Sequence, residues 1–372
     1  MPLVVSVNNH LPSDAPIQRP QTVAPPRHLN GVRRVAVILV MVAGVRASLA
    51  ANVPVPLNVA AGERLLVVAP HPDDETLGAG GLIQRVLERG GMVRVVLITA
   101  GDGYVEAVQH ETGLPHPRPS QYIAYGERRL REARAAVREL GDDRVRLQVL
   151  GFPDGGLTAL LHAHWRRTNP ERSSTTGASE PPYPEALDPG IAYDGADLHR
   201  ELLRLLDDIH PTMVALPHPL DRHPDHRATG LFTLLALHDW AGEEVQPPAP
   251  PPRLLAYLLH WPDWPPAWNA ATPSLAATGA TLELPPTLPA HDGTRTALTL
   301  SEAETTKKAA AAAKYETQQQ AIAGLLAAFA RRTEPFVLLS PRALQEVGRM
   351  IEQAPAVEPR RQKPGDKRTP SP

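Results

Sequence analysis

The chain has 372 residues, with 38 Lys and Arg against 40 Asp and Glu, so it lacks the broad positive surface of a nucleic-acid-binding protein. It contains no Cys, which excludes disulfides, thiolate metal sites, iron–sulfur clusters and Cys nucleophiles. Apolar residues make up 42% of the chain, enough for a hydrophobic core, and no run reaches the roughly 18–20 apolar residues that span a bilayer.

Residues 1–50 are predicted to be a disordered N-terminus that carries an export signal. The pair Arg33-Arg34 precedes the apolar run 35–45, and the following Ser48-Leu49-Ala50 has the small residues of a cleavage site. We therefore expect cleavage after Ala50 and an exported protein, either periplasmic or secreted. If the apolar run is instead a buried strand or helix, the protein is expected to be cytoplasmic.

From residue 64 onward, short apolar runs alternate with stretches of helical periodicity. The predicted strands are 65–69, 93–99, 145–152, 212–216 and 254–260. The predicted helices are 77–89, 127–140, 196–209 and 226–237. This alternation is typical of a mostly parallel sheet covered by helices on both faces, in which ligands bind at the carboxyl ends of the strands.

The C-terminal part predicts one long helix over 301–332. Ser301 and Glu304 form a capping box there, and the Ala-rich stretch that follows has high helix propensity. The segments 157–195 and 247–290 are polar or Pro-rich and are predicted to be long surface loops. The Pro-rich, charged segment 354–372 is predicted to be a disordered tail.

The end of the first strand in this pattern carries a dense polar cluster, in which residues 71–75 read His-Pro-Asp-Asp-Glu. Zinc accepts both the neutral nitrogen of His and the hard oxygen of Asp. His71 and Asp74 lie three residues apart on a turn and can reach one ion, with Asp73 between them placed to act on water at the metal. The alternative is a helix N-terminus with acidic residues, which Asp74 and Glu75 alone would fit.

A second cluster follows the fourth predicted strand, where residues 223–226 read His-Pro-Asp-His. One of these histidines can be a third metal ligand, while the other can pair with a carboxylate, become cationic and stabilise an oxyanion. The nearby His218 and Asp221 are predicted to be structural or to support the ligands. A solvated loop with chance histidines is the alternative.

Together the two clusters resemble the PIG-L/LmbE-like family of zinc-dependent N-acetylglucosaminyl deacetylases, which has an HPDDE motif after its first strand and an HPDH motif after a later one. The resemblance extends over about residues 62–335. Weaker agreements within it are Thr99–Asp102, Arg129 with Glu132, Phe152–Gly155, and Tyr315 with Gln318. The resemblance implies a Rossmann-like three-layer α/β sandwich for a deacetylase domain at 60–340.

The resemblance also implies a role for each residue of the two motifs. The implied zinc ligands are His71, Asp74 and His226, an arrangement that leaves a position for water. Asp73 is the implied general base. His223 is the implied general acid or oxyanion stabiliser, oriented by Asp225 and protonated because that carboxylate lies beside it.

The expected activity is hydrolysis of a linear amide C–N bond, removing acetyl from an N-acetylated sugar, a glycoconjugate or a related amine. The alternatives are hydrolysis of another amide or ester on the same fold, and a non-catalytic sugar-binding module. Arg129, Trp261 and Trp264 are the expected substrate contacts, since Trp faces stack on sugar rings and loops after strand ends build specificity. Simple packing of the Trp-containing loop onto the body is the other interpretation.

Overall fold

The structure is a computed structural model, and it describes residues 54–242, 250–266, 279–289 and 293–340. The export signal predicted within 1–50 and the tail predicted at 354–372 lie outside these residues and stay predictions. In the described part of the chain, no helix is long and apolar enough to cross a membrane.

The described strands form one eight-stranded sheet in the order β1-β7-β8-β6-β5-β2-β3-β4. Strands β1 to β8 are Val55–Pro56, Arg64–Ala69, Met92–Thr99, Val145–Phe152, Met213–Pro217, Arg253–Tyr257, Gly293–Thr299 and Thr333–Leu339. Helices α1 to α8 are Asp74–Glu88, Val105–Thr112, Pro119–Gly141, Leu157–His162, Gly195–Ile209, Pro224–Gly242, Glu302–Ala312 and Glu316–Phe329. Strand β8 runs antiparallel to β6 and β7, and the other neighbouring strands are parallel. The predicted mostly parallel sheet is confirmed.

The central strands are apolar and buried along nearly their whole length, as expected for a sheet covered on both faces. Helices α1, α3, α7 and α8 pack on one another, and helices α4, α5 and α6 form a second packed group. One group lies on each face of the sheet, which gives the three layers of an α/β sandwich.

The order of the strands creates a switch point between β2 and β5. From β2 the chain proceeds through β3 to β4 in one direction, then returns to β5 on the other side of β2 and continues to β6. Strands β2 and β5 are parallel, with Leu65 opposite Met213 and Val67 opposite Ala215. Connections that leave in opposite directions open a crevice at the carboxyl ends of two such strands.

The prediction of one helix over 301–332 is wrong. Helix α7 ends at Ala312, α8 begins at Glu316, and strand β8 begins at Thr333. Buried polar contacts account for the break: the Tyr315 hydroxyl donates a hydrogen bond to Glu75, and Thr317 donates from its N–H and its hydroxyl to Glu132 at 3.0 and 2.6 Å. Such contacts override the helix propensity of Ala, which is a weak local preference.

Other differences concern the ends of elements and the segments without strong periodicity. Helix α3 begins at Pro119, eight residues before the predicted start, and β6 ends at Tyr257 rather than at residue 260. The loop predicted at 157–195 begins with the short helix α4. Strands β1, β7 and β8 and helix α2 were not predicted.

An ion pair joins α1 to the start of α7. Arg85 donates two hydrogen bonds to the Glu304 carboxylate, from Nε at 2.7 Å and from Nη2 at 2.8 Å. The same carboxylate accepts the Ser301 N–H at 2.7 Å, which confirms the predicted capping box. Burial alone would raise the pKa of Glu304, but the hydrogen bonds from Arg85 and Ser301 outweigh it and hold the pKa below its ordinary value.

We expect Glu304→Gln to lower the free energy of unfolding by about 1–2 kcal/mol at neutral pH, because it removes the charge from a two-point hydrogen bond. The folded-state pKa of Glu304 is depressed, so its contribution is fully present above about pH 4.3 and is lost as the pH falls through the folded value. Denaturant unfolding of wild type and variant at pH 7 and pH 3.5 should show the difference shrink at the lower pH.

Glu88→Gln is the matched control. The Glu88 side chain is 72% exposed and lies 3.7 Å from the same Arg85. Removing its charge should change the free energy of unfolding by less than about 0.5 kcal/mol. A Glu88 effect as large as the Glu304 effect would contradict the importance assigned to the α1–α7 ion pair.

Candidate metal centre

The two polar clusters predicted from the sequence meet at the switch point of the sheet. Residues 71–75 follow β2 directly, and residues 223–226 follow β5 after a short loop. The carboxyl ends of β3, β4 and β6 border the same crevice. The site is therefore built from loops that rigid neighbouring strands hold in place.

The turn after β2 holds Asp73 in an unusual backbone conformation, with φ of 128°. Its N–H donates to Glu75 Oε2 at 3.1 Å, and its carbonyl accepts the N–H groups of Thr76 and Leu77 at 3.0 and 2.9 Å. A non-glycine residue at such a φ costs about 1–3 kcal/mol and persists only where its surroundings fix it. The strain lies between the two predicted ligands of this turn, where it orients the Asp73 side chain.

The three predicted ligands lie together. One oxygen of the Asp74 carboxylate, Oδ2, is 3.0 Å from His71 Nδ1 and 3.1 Å from His226 Nε2. The same oxygen accepts the main-chain N–H of His71 at 2.9 Å, which fixes the turn. The structure thus unites residues from the two strand ends, which are 152 positions apart in sequence between Asp74 and His226.

This arrangement fits a cation. The His226 side chain is fully buried, and both of its ring nitrogens lack a hydrogen bond. Burial alone would raise the pKa of Asp74, but His226 and His71 outweigh it and hold the pKa well below its ordinary value, so the carboxylate is ionised. Two imidazoles and one carboxylate form a donor set that zinc accepts with a position left for water.

Three other groups of side chains also bring potential ligand atoms within 4.8 Å of one another. These groups are His71 with His223 and His226, Asp221 with His226 and His260, and His71 with Asp154 and Asp225. His71 and His226 recur in them, so the predicted ligand histidines occupy the centre of a wider His and Asp cluster.

Asp73 and Arg129 form a buried pair beside the ligands. Arg129 Nη2 donates to Asp73 Oδ2 at 3.2 Å and to the Pro72 carbonyl at 2.7 Å, and Nη1 donates to the Gly101 carbonyl at 2.9 Å. Arg129 is only 4% exposed. Its guanidinium is buried against the protein's own carbonyls and the Asp73 carboxylate, and its contact with substrate stays a prediction.

His223 lies in surroundings that favour its neutral form. Burial lowers the pKa of His223 to about 2, and the neighbouring His71 and His226 act in the same direction. The main-chain N–H of Asp225 donates to His223 Nδ1 at 3.3 Å, which leaves the ring proton of the neutral form on Nε2. The protonated His223 that the resemblance implies stays a prediction.

The Asp225 carboxylate points away from its predicted partner. It accepts the N–H groups of Gly155 and Leu157 at 2.6 and 3.3 Å, and Oδ2 lies 3.5 Å from His71 Nε2. Asp225 reaches His223 through its main chain, so the orientation of that ring by the carboxylate is corrected to orientation by the backbone.

The two tryptophans predicted to contact substrate differ in their burial. Trp264 is buried, donates from Nε1 to the Glu283 carbonyl at 2.8 Å and packs edge-on against Phe329, which favours the packing interpretation of this residue. Trp261 is half-buried, with the Arg222 guanidinium 5.1 Å from its ring centre. Its contact with substrate stays a prediction.

Sequence reasoning assigned no role to Asp154 or His260. Asp154 Oδ1 lies 3.2 Å from His71 Nε2, and the His260 ring centre is 5.1 Å from that of His223. Both residues follow strand ends, Asp154 after β4 and His260 after β6. Polar residues placed directly after apolar strands were the feature that could have indicated them.

Comparison with known proteins agrees with the resemblance in the sequence. Residues 66–237 match the model of the PIG-L family, described as GlcNAc-PI de-N-acetylase. The 1D-myo-inositol 2-acetamido-2-deoxy-alpha-D-glucopyranoside deacetylase 1 of Saccharopolyspora erythraea is 34% identical over 183 residues, which cover 48% of this chain and 55% of that protein. The corresponding deacetylase of Mycobacterium sp. strain KMS is 32% identical over 190 residues, which cover 50% and 54%.

The chain thus spans about half the length of these two curated relatives. Among solved structures, the chain is similar to a conserved protein from Thermus thermophilus, with a TM-score of 0.44 and 26% identity. That similarity covers 75% of this chain and 95% of the Thermus protein.

We expect Gly101→Ala to destabilise the protein by more than its backbone conformation alone requires. Gly101 has φ of 69°, and a Cβ atom there would overlap the Arg129 guanidinium, which is held by three acceptors. We expect a loss of about 2–4 kcal/mol in the free energy of unfolding, measured by denaturant titration.

Gly62→Ala is the control that separates the cost of the backbone conformation from the cost of the overlap with Arg129. Gly62 has almost the same φ, 72°, and a Cβ atom there would meet nothing within 4 Å. Its substitution should cost only the left-handed backbone conformation, about 1 kcal/mol. Equal losses in the two variants would show that Arg129 is free to move, contrary to the buried network described above.

Proposed function

We propose a function from the premise that residues 66–237 form a PIG-L family domain: the chain is a zinc-dependent hydrolase that removes acetyl from an N-acetylglucosamine-type substrate. The observation that carries the proposal is the position of the Asp74 carboxylate between His71 Nδ1 and His226 Nε2, with no hydrogen bond to either ring nitrogen of His226. The names of the two relatives, both deacetylases of an acetamido sugar linked to inositol, support the substrate class.

Zinc bound by His71, Asp74 and His226 would supply a Lewis acid that polarises the acetyl carbonyl and activates water. Asp73 would take a proton from the attacking water and pass it to the leaving nitrogen, so that the C–N bond breaks into acetate and a free amine. Burial raises the pKa of Asp73 to about 8, although Arg129 beside it opposes the shift. Arg129 beside Asp73 favours the ionised carboxylate that accepts the proton, and burial favours the protonated form that passes it on.

His223 would stabilise the oxyanion as a neutral hydrogen-bond donor. Its Nδ1 accepts the Asp225 N–H, so its Nε2–H remains for the substrate oxygen. The ring lies beside that of His71, with 4.9 Å between the ring centres. A donor held in place before the reaction stabilises developing charge without reorganisation.

The first experiment measures acetate release by the purified protein from a panel of N-acetylated sugars that includes the glucosaminyl-inositol acetamide named for the relatives. We expect release from at least one acetamido sugar, loss of activity after chelation and recovery with one equivalent of zinc. The absence of acetate release with a full equivalent of bound metal would contradict the deacetylase proposal, as would activity that survives complete metal removal.

We expect Asp73→Asn to lower kcat by about 10²–10⁴-fold, because it removes the proton acceptor while keeping the size of the side chain. His223→Ala should lower kcat by about 10²–10³-fold through loss of one oxyanion donor. Both variants should keep one metal per chain by elemental analysis.

Asp143→Asn is the control for these two variants, since the Asp143 side chain is 95% exposed. Its kcat should equal that of the wild type. Near-normal turnover of Asp73→Asn with full metal content would contradict the assignment of Asp73 as the base.

A further inference from the structure

We propose that Asp154 and Asp221 are positioning residues, each of which faces the outer ring nitrogen of one metal-binding histidine. They make His71 bind the metal through Nδ1 and His226 through Nε2. This inference rests on the metal centre of the proposed function. It assigns a role to Asp154 and specifies which ligand Asp221, predicted from the sequence to be structural or to support the ligands, would position.

The two ring nitrogens of His71 face different carboxylates. Nδ1 lies 3.0 Å from Asp74 Oδ2, the oxygen that also faces His226. Nε2, on the other side of the ring, lies 3.2 Å from Asp154 Oδ1 and 3.5 Å from Asp225 Oδ2. A proton on Nε2 satisfies the outer carboxylates, and it leaves the lone pair of Nδ1 for a metal that the shared inner oxygen also binds.

A main-chain hydrogen bond holds the Asp154 carboxylate in place beside His71. Its Oδ2 accepts the N–H of Gly103 at 2.6 Å, from the loop after β3. The next residue, Gly155, donates its N–H to Asp225 at 2.6 Å. The turn after β4 therefore places both outer acceptors of His71, and Asp154 is the nearer of the two.

His226 repeats this arrangement from the other strand end. Its Nε2 lies 3.1 Å from Asp74 Oδ2, and its Nδ1 lies 3.6 Å from Asp221 Oδ2, while the other oxygen of Asp221 lies 3.4 Å from His260 Nδ1. Asp221 is fully buried and accepts three main-chain N–H groups. These come from His223 at 2.9 Å, Leu259 at 3.0 Å and His260 at 3.1 Å.

The two histidines are thus backed by carboxylates that are themselves held by the backbone. A carboxylate behind a ligating imidazole fixes its tautomer and raises its basicity, and loss of such a partner typically costs about 10–100-fold in metal affinity. The loop after β4 contributes Asp154 to this arrangement, and the loop after β6 contributes the Leu259 and His260 N–H groups that bind Asp221. Neither loop supplies one of the predicted ligands.

The test measures the zinc dissociation constant by competition with a chromogenic chelator. We expect Asp154→Asn and Asp221→Asn each to weaken zinc binding about 10–100-fold while one site per chain remains. Asp154→Ala should weaken it further than Asp154→Asn, since the amide oxygen can still accept the Nε2–H. Asp102→Asn is the matched control, because Asp102 is equally buried but bonds to Tyr183 and to no histidine.

A second measurement determines the histidine tautomers from nitrogen-15 NMR spectra of the zinc-loaded wild type. It does not depend on the folding of any variant. We expect zinc to bind one histidine through Nδ1 and the other through Nε2. Two histidines bound through Nε2, or an unchanged zinc affinity in both Asn variants, would overturn the proposal.

Three further outcomes are distinct from these. Complete loss of the site in Asp154→Asn, with the apo-protein melting temperature unchanged, would make Asp154 a ligand and overturn its positioning role. A wild type that binds no zinc would overturn the metal centre itself and this inference with it. Equal losses of affinity in Asp102→Asn would show that any buried charge change acts in this way, which also contradicts the proposal.

Discussion

The site depends on one constraint, the parallel pairing of β2 with β5 at the point where the chain reverses its direction across the sheet. Each strand ends in a cluster of His and Asp, and only neighbouring parallel strands bring such ends to the same edge. Asp74 Oδ2 then lies within 3.1 Å of ring nitrogens from both clusters. The loops after β3, β4 and β6 add Gly101, Asp154 and His260 around this core.

The concentration of buried carboxylates makes a bound cation the simplest balance of charge. Asp73, Asp74, Asp154 and Asp225 are all buried within this cluster. An unpaired buried ion costs several kcal/mol, so such a set needs compensating positive charge. Arg129 compensates Asp73 from one side, which leaves Asp74 and its two histidines as the place where a dication fits.

The sequence predicts that the two motifs meet because each lies directly after an apolar strand, and the structure brings His71, Asp74 and His226 together. Asp154 and His260 follow apolar strands, which could have indicated them, but their distances from the centre depend on the order of the strands. Nothing local indicates that the Pro72 and Gly101 carbonyls accept hydrogen bonds from the buried Arg129 guanidinium. The break in the C-terminal helix depends likewise on distant partners, here the contact of Tyr315 with Glu75.

The most direct measurement is anomalous X-ray diffraction at the zinc edge from crystals of the zinc-loaded protein. The account predicts one strong peak about 2.0–2.2 Å from His71 Nδ1, an Asp74 oxygen and His226 Nε2. A peak bound instead by His71 Nε2 with Asp154 and Asp225, or by Asp221 with His226 and His260, would contradict it.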